Sequence, residues 1–267
     1  MSGVHGGPSR DEWELEFDDE FDGDALDERR WIPHYLPQWS SRRRSAARYA
    51  LADGCLRLRI EADQEPWCPE LDGRVRVSSL QTGVFAGPVG SDVGQHRFNP
   101  DAVVREAQNN ARLYTPCYGL VETRARATGD ARSMVALWMI GYEDERSRSG
   151  EICVCEIFGK DVGSERAGVG MGVHPFGDPR LVDEFSVENV PIDAREFHVY
   201  SAEWSPGQVR FFVDDSLVKT VGQAPDYPMQ LMLSIHEFPD MATVPQRAES
   251  YPKELVVDYV RGYGRRT

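Results

Sequence analysis

Two glutamates lie close together in an otherwise apolar stretch, which reads Gly150-Glu151-Ile152-Cys153-Val154-Cys155-Glu156-Ile157-Phe158-Gly159. A buried charge is costly unless it is paired or takes part in chemistry. The apolar neighbours leave little solvent-facing surface for two ordinary glutamates on an edge strand. Two carboxyl groups that flank one bond can cleave a glycosidic linkage, one as general acid and the other as nucleophile or base. We therefore interpret Glu151 and Glu156 as candidate catalytic carboxylates.

The spacing of these glutamates has a geometric consequence. In a regular strand Glu151 and Cys153 share a face, and Glu156 points to the opposite one. A one-residue β-bulge between Cys153 and Glu156 would return Glu156 to the face of Glu151. The backbones would still be about 13 Å apart after four steps of ~3.3 Å. The side chains must therefore lean together to reach the separation of about 5–5.5 Å that a retaining glycosidase needs.

Cysteine chemistry is the alternative for the same stretch. Cys153 could act as a nucleophile with His174 as its base, although no third, orienting residue can be named. Cys153 and Cys155 could also suggest a metal, but no second Cys/His pair has zinc spacing. The chain has an odd number of scattered cysteines, which argues against a disulfide framework and leaves one Cys68–Cys117 bridge open; they are Cys55, Cys68, Cys117, Cys153 and Cys155.

Short strand signals dominate the rest of the chain. Residues 56–60 alternate apolar and charged side chains, as a half-buried strand does. Residues 135–140 form a continuous apolar run, which predicts a strand covered on both faces. Residues 209–213 and 217–221 predict a hairpin around Asp214-Asp215. Further strands are predicted at 120–126, 197–204, 229–235 and 255–260.

Many short strands separated by Gly and Pro turns are typical of an all-β sandwich or jelly roll. Residues 99–110 could form one or two helical turns. Two stretches with few strand signals, 86–113 and 238–252, are expected to form long loops, the first as an insertion over one face of the sandwich. We expect one domain from residue 13 to residue 267, preceded by a frayed segment at 1–12.

The composition of the chain limits the kinds of molecule that it is expected to bind. The chain carries 30 Lys+Arg against 44 Asp+Glu, a formal charge of -14. Such a surface disfavours nucleic acid and anionic membranes and is compatible with a neutral polysaccharide, although it also serves solubility alone. The first residues lack the basic and apolar regions of a signal peptide, and no apolar run could span a bilayer. The expected location is the cytoplasm, or outside the cell if an export signal has been removed.

Several segments, taken in order, resemble glycoside hydrolase family 16 in its laminarinase-like branch. The family pattern E-x-D-x-x-E appears as Glu151-x-Cys153-x-x-Glu156. The other matching segments are Asp19-Glu20-Phe21-Asp22-Gly23, Asp53-Gly54-Cys55-Leu56-Arg57-Leu58, Tyr118-Gly119-Leu120-Val121-Glu122-Thr123-Arg124, Ala136-Leu137-Trp138-Met139 and Phe197-His198-Val199-Tyr200-Ser201-Ala202-Glu203-Trp204. The resemblance extends from Trp13 to the C-terminus and rests on the ordered combination.

The resemblance implies a concanavalin A-like β-jelly-roll sandwich with a substrate cleft. It makes Glu151 the nucleophile and Glu156 the general acid and base, and apolar surroundings with a negative neighbour should raise the pKa of Glu156. The chain departs from the family at Cys153, where an aspartate that shares hydrogen bonds with the nucleophile is expected. A thiol is only a weak donor, so this exchange bears on activity and on its pH profile.

The resemblance also implies binding residues. Trp138 matches an aromatic platform for sugar rings, with core packing as the alternative, and His174 matches a histidine near the scissile bond, with a turn residue as the alternative. His236 and Glu237 are expected at the rim of the cleft. The Asp258 carboxylate with the Gly54 carbonyl matches a structural calcium site, and catalysis itself should need no cofactor.

The favoured function is that of a retaining endo-β-glycosidase acting on a polysaccharide, with β-1,3- or mixed-linkage β-glucan as the expected substrate and a monomer as the expected state. A non-catalytic carbohydrate-binding protein is the first alternative, because this fold does not fix function. A transglycosylase using the same carboxylates is the second. The presence of both Glu151 and Glu156 favours an enzyme.

Overall fold

The computed structural model describes residues 12–241 and 250–266, which fold mainly into antiparallel strands. The strands are β1 (Trp13–Asp19), β2 (Arg48–Ala52), β3 (Cys55–Ile60), β4 (Arg76–Gln81), β5 (Gly83–Val84), β6 (Ala111–Arg112), β7 (Gly119–Arg126), β8 (Ser133–Gly141), β9 (Glu151–Phe158), β10 (Ala167–His174), β11 (Ser186–Val190), β12 (His198–Ser205), β13 (Gln208–Val213), β14 (Ser216–Val221), β15 (Met229–Glu237) and β16 (Lys253–Arg265). Two short helices, α1 (Arg42–Ser45) and α2 (Pro69–Asp72), and single 3-10 turns at Pro37–Trp39 and Gly159–Asp161 complete the described elements. The expected frayed segment lies outside the described residues except for Glu12, as do residues 242–249 of the expected second loop.

The strands form two large sheets. One has the order β14-β13-β12-β7-β16-β3-β2, with β1 pairing the second half of β16, and the other has the order β11-β10-β9-β8-β15-β4. Apolar side chains from both sheets meet in a shared core, for example Tyr200 and Phe211 from the first with Leu137, Val154 and Leu231 from the second. The predicted β-jelly-roll sandwich is confirmed.

Strand β8 shows how the six-stranded sheet is buried on both sides. Val135, Leu137 and Met139 belong to the core between the sheets. The intervening residues Met134, Ala136, Trp138 and Ile140 belong to a second apolar cluster on the outer face. Since side chains alternate along a strand, the continuous apolar run predicted a strand covered on both faces, and this is confirmed.

Loops supply the cover of that outer face. The second cluster takes Tyr35, Trp39 and Trp67 from the loops before β4, and Ala102 and Val104 from the predicted insertion at 86–113. The insertion is confirmed, but the helical turns at 99–110 are wrong. One local turn forms there, where Ala102 donates to the Asn99 carbonyl, but it does not continue as a helix. The following amides bond to distant carbonyls, with Val104 donating to Ser91 and Arg105 donating to Gln38.

Strand β10 was not predicted, because glycine occupies every second position from Gly168 to Gly172. Glycine weakens the sequence signal of a strand and often marks a close approach of another backbone. A Cβ atom at Gly172 would lie 2.3 Å from the carbonyl oxygen of Glu184. These glycines therefore let β10 lie between β9 and the chain leading into β11. The predicted β13–β14 hairpin is confirmed.

Cys68 and Cys117 form no bridge, since all five cysteines are free, Cys68 buried and Cys117 exposed. In the described ranges, no helix has the length and apolar character needed to cross a membrane.

Candidate active site

The predicted β-bulge is confirmed in β9. On the β8 side Leu137 pairs with Cys155 and Trp138 pairs with Cys153, which leaves Val154 as the extra residue. Because of this extra residue, Glu156 returns to the face that carries Glu151 and Cys153. All three then line one pocket, whereas Val154 and Cys155 turn into the core between the sheets.

The opposite directions of Cys153 and Cys155 also remove the basis for a metal site built from this pair. A bulge of this kind re-aims a side chain by one position. Here it brings together the two candidate carboxylates and separates the two thiols.

The pocket is a cavity of about 250 Å³ on the outer face of the six-stranded sheet. Six side chains singled out from the sequence meet in it: Trp138, Glu151, Cys153, Glu156, His174 and His236. The remaining lining residues are Tyr35, His96, Met134, Ala136 and Phe176. β8, β9, β10 and β15 carry the floor, and loops carry Tyr35, His96 and Phe176.

The two carboxyl groups differ in their surroundings. Glu151 is only 7% exposed, and burial, with smaller contributions from the charges of Glu156 and Asp183, raises its pKa to about 8. Glu156 is partly buried; burial raises its pKa, and His174 opposes that rise. The raised pKa of Glu156 has the expected direction. The larger perturbation at Glu151 was not expected, because a nucleophile has to be ionised.

Cys153 is held as a thiol. It is 1% exposed, its Sγ donates to the Gly170 carbonyl at 3.8 Å, and burial together with Glu151 and Glu156 raises its pKa well above the ordinary value. The contact of His174 Nδ1 is with Asp183 Oδ2, at 3.0 Å. A cysteine nucleophile needs a thiolate and a base, so the environment of Cys153 opposes that alternative.

The two predicted histidines lie on opposite sides of the carboxylates. His174 ends β10 directly across from Glu151, and its ring stacks on Phe185 with centroids 4.6 Å apart. His236 lies inside β15 and lines the pocket. Burial, reinforced by His96, lowers the pKa of His236 to about 3, so this ring is neutral near pH 7.

Trp138 both packs in the outer apolar cluster and lines the pocket. Its ring belongs to the outer apolar cluster, and its Nε1 donates to Ser234 Oγ at 3.1 Å. The same side chain lines the pocket. Both interpretations of Trp138 therefore have a structural basis.

The structure corrects the prediction for Glu237. This residue ends β15, with its side chain 0% exposed and outside the pocket. Its carboxylate binds Lys253 Nζ and Tyr251 OH through Oε1 and Arg76 Nη1, at 3.0 Å, through Oε2. Side chains alternate along a strand, so Glu237 must point away from the face that His236 occupies.

The calcium prediction also finds little support in the local chemistry. Gly54 lies in the turn between β2 and β3 with φ +66°, and Asp258 lies in β16. Arg124 Nη1 is 2.5 Å from Asp258 Oδ2 and already neutralises this carboxylate. Within residues 12–241 and 250–266, no group of three or more His, Cys, Asp or Glu side chains could hold a metal ion. These residues fit a calcium ion poorly, and the site chemistry below does not depend on one.

His96 is the main site residue that sequence reasoning missed. It lies in the insertion at 86–113, and its Nδ1 is 4.0 Å from Glu151 Oε2. Its ring contacts Trp138 and Phe176, with centroids 5.1 and 4.6 Å away. The available signal was a single histidine in a segment expected to cover the cleft. Tyr35 and Phe176 gave no signal, because isolated aromatic residues in loops are common.

The fold and the paired carboxylates on a bulged strand define a glycosidase-like jelly roll, and the comparison with known families agrees. The chain belongs to the glycosyl hydrolases family 16, whose model matches residues 109–252, more than half of the sequence.

Three relatives describe the similarity. A β-glucanase of Rhodothermus marinus is 31% identical over 169 residues, which cover 55% of this chain and 57% of that protein. The GlcNAcα1-4Gal releasing endo-β-galactosidase from Clostridium perfringens superposes with a TM-score of 0.81 and 28% identity, over 94% of this chain and 63% of that one. The laminarinase from Rhodothermus marinus superposes with a TM-score of 0.66 and 24% identity, over 96% of this chain and 98% of that one. The matches thus span less than two thirds of the β-glucanase and of the endo-β-galactosidase.

Proposed function

We propose that this protein is a retaining endo-β-glycosidase that cleaves a β-1,3- or mixed-linkage β-glucan. The observation that carries the proposal is the placement of Glu151 and Glu156 on one face of bulged β9, inside one pocket. Family membership and the similarity to a β-glucanase support the substrate class.

The proposed reaction has two displacements. In the first, the Glu151 carboxylate attacks the anomeric carbon, the glycosidic C–O bond breaks, and Glu156 gives its proton to the leaving oxygen. In the second, the Glu156 carboxylate takes a proton from water, the water oxygen attacks the anomeric carbon, and the Glu151 ester bond breaks. Both side chains return to their starting states.

The two carboxyl groups need opposite protonation states at the start of this cycle. The raised pKa of Glu156 suits a general acid. The pKa of about 8 at Glu151 means that this group must give up a proton before it can attack. The fall of kcat/KM on the acid side of its pH profile (the acid limb) should therefore follow the protonation of Glu151.

Endo action, meaning cleavage within a long chain, is supported by a neighbouring cavity. A second cavity of about 370 Å³ adjoins the first and shares His96 and Phe176 with it. Phe176 is 51% exposed, so part of its ring is open to contact with a sugar. Together the two cavities offer room for more than one sugar unit.

A β-galactoside is the second candidate substrate. The observation in its favour is the endo-β-galactosidase similarity, which covers nearly the whole of this chain. The sugar units of the two candidates, glucose and galactose, differ in the orientation of the hydroxyl group at C4, so a cleavage assay on both kinds of glycan distinguishes them.

The test is a cleavage assay on laminarin, lichenan, agarose and β-galactan, with E151Q and E156Q as matched variants. We expect new reducing ends and internal fragments from laminarin or lichenan with the wild type, and the β-anomer as the first product by proton NMR. Release from galactan or agarose alone would favour the second candidate. Transfer of sugar to an added acceptor in preference to water would identify a transglycosylase. Binding without cleavage of any glycan, or an α-anomer as the first product, would contradict the proposal.

A further inference from the structure

The cavity of about 370 Å³ that adjoins the active-site pocket, here called the side cavity, takes its walls from three loops. Asp92 comes from the predicted insertion, Arg146 and Ser149 from the loop between β8 and β9, and Phe176 from the loop between β10 and β11. Ser149 precedes β9 by two positions. The side cavity therefore lies beyond the end of β9 that carries Glu151.

Polar contacts tie these loops together around the side cavity. The Arg146 guanidinium binds the Asp92 carboxylate with two nitrogens, with Nη1 3.0 Å from Oδ2 and Nη2 donating to Oδ1. The Gly177 amide donates to Ser149 Oγ at 2.9 Å. The walls are therefore held in position before a ligand arrives, which reduces the ordering cost of binding.

Three residues of these walls have a strained backbone. His96, Glu143 and Phe176 line the side cavity with φ values of 48°, 57° and 44°, in the left-handed region that residues other than glycine rarely adopt. The backbone N–H of His96 donates to Glu143 Oε1 at 2.5 Å, which links two of the three. Conformations of this kind persist only where the surroundings enforce them, and they are concentrated at functional sites. Their presence around one cavity indicates that this cavity has a function.

The side cavity meets the active-site pocket at His96 and Phe176, which line both. Their rings contact each other edge to face, with centroids 4.6 Å apart, and about half of the Phe176 side chain stays exposed. A sugar unit next to the one in the active-site pocket would therefore pass the open part of the Phe176 ring on its way into the side cavity.

Arg146 and Asp92 present hydrogen-bonding groups that suit sugar hydroxyls. Their side chains are 64% and 41% exposed. The pair uses only part of the N–H donors of the guanidinium and of the lone pairs of the carboxylate, so donors and acceptors remain side by side for a ligand. Arg97 donates to the carbonyls of Pro100 and Ala102, and its Nη1 lies 3.6 Å from Asp92 Oδ2. Since hydroxyl groups both donate and accept, a neutral sugar matches the Arg146–Asp92 pair.

We propose that the side cavity is a subsite for a neutral sugar unit of the glycan, adjacent to the unit that Glu151 and Glu156 act on. Arg146 and Asp92 bind the hydroxyl groups of this further unit, and Phe176 contacts the apolar side of its ring. The inference rests on the proposed function and deepens it, because it names the residues that make binding depend on chain length. A short glycan occupies the active-site pocket alone, whereas a longer one also gains the contacts of the side cavity.

Calorimetric titration of E151Q with laminaribiose and laminaripentaose tests this without turnover, and galacto-oligosaccharides of the same lengths cover the second candidate substrate. R146A is added to E151Q as the variant. R148A is the matched control, because Arg148 lies in the same loop, outside the side cavity, and pairs with Asp144 and Glu145. R146A should weaken binding of the pentasaccharide about 10-fold, as loss of a hydrogen bond to a charged group does. The disaccharide should lose clearly less, and R148A should change neither.

Equal weakening of both lengths by R146A, no weakening of either, or no binding of any of these sugars to E151Q would overturn the inference. Tighter binding of a sulfated laminari-oligosaccharide than of the neutral one would overturn the assignment to a neutral unit. D92N, which removes the negative charge of the pair at nearly constant shape, is the second variant and should act in the same direction as R146A.

Cleavage by the wild type separates this inference from the proposed function. If the wild type cleaves a glycan while R146A weakens both lengths equally or not at all, the proposed function stands and the subsite is wrong. If R146A weakens the pentasaccharide selectively while the wild type cleaves no glycan, the subsite stands and the proposed function fails.

Discussion

Cys153 lies directly opposite Trp138 across β8 and β9, one position before the bulge that turns Glu156 toward Glu151. The pairing puts a thiol, an indole ring and two carboxyl groups on the same face of the sheet. The extra residue Val154 is buried in the core on the other face. The extra residue Val154 thus packs in the core of the sandwich and at the same time brings Glu156 to the face of the site.

Cys153 itself can be tested by two exchanges. In C153D a new carboxyl group adds negative charge beside Glu151, so the acid limb of kcat/KM should move to higher pH without a large gain in rate. C153S keeps a small, neutral hydrogen-bonding group beside the Gly170 carbonyl, and its pH profile should match the wild type. Recovery of hydrolysis by C153D from a near-zero baseline would instead identify the wild type as a binding protein.

Trp138 should affect stability and binding together. It packs in the outer cluster and donates to Ser234, so W138A should lower the free energy of unfolding by about 3–5 kcal/mol and weaken oligosaccharide binding in calorimetry. W138F keeps an aromatic face and should retain most of both. Lost affinity at unchanged stability would show that Trp138 acts as a platform alone.

Glu237 should affect stability and leave catalysis unchanged. E237Q leaves the buried Lys253 ammonium and Arg76 with less compensating charge, and breaking a buried pair of this kind costs about 3 kcal/mol or more. The control E254Q weakens partly exposed pairs with Arg57 and Arg59 and should cost about 1 kcal/mol or less. Denaturant unfolding and kcat/KM are the measurements. A large loss of substrate affinity in E237Q at normal stability would restore Glu237 to the cleft.

The pKa of Glu151 should be visible in folding stability. An unfolded glutamate loses its proton near pH ~4.3, whereas Glu151 in the folded protein holds one up to about pH 8. The folded state therefore binds more protons between these values, and the free energy of unfolding should fall as pH rises through this window. E151Q has no such proton, so from pH 5 to pH 8 its stability should rise relative to the wild type.

The matched control for that series is E14Q, a substitution at an exposed position of β1, measured over the same pH range. A difference between E151Q and the wild type that stays constant with pH would mean that Glu151 is already ionised in the folded protein at pH 5.

Most of the β-sandwich and the two central carboxylates of the site could be predicted from the sequence, because the deciding patterns lie within single strands. The apolar run at 135–140 predicts a strand that is buried on both faces. Glu151 and Glu156 are an odd number of residues apart, so they can share a face only if the strand has a bulge between them, as β9 does. Side chains alternate along a strand, so Glu237 and His236 must lie on opposite faces of β15. This alternation already excludes a shared position of both residues at the cleft.

His96 and β10 could not be predicted in the same way. The position of His96 depends on the neighbouring Gln95, whose carbonyl accepts from Gln38 and Trp39 and whose side-chain amide donates to Gln230, all three remote in sequence from the insertion. The strand β10 is specified by the room that its glycines leave for Glu184 and Phe185, and an absent side chain gives no periodic signal.

The identity of the nucleophile tests the central claim most directly. A 2-deoxy-2-fluoro-β-glycosyl fluoride of a β-1,3-linked disaccharide slows the second displacement and lets the covalent intermediate accumulate. After digestion with protease, mass spectrometry should find the sugar on the peptide that contains Glu151, and fragmentation should place it on that carboxyl group. A sugar attached to Cys153 or Glu156, or glycan cleavage with no covalent intermediate on Glu151, would contradict the account.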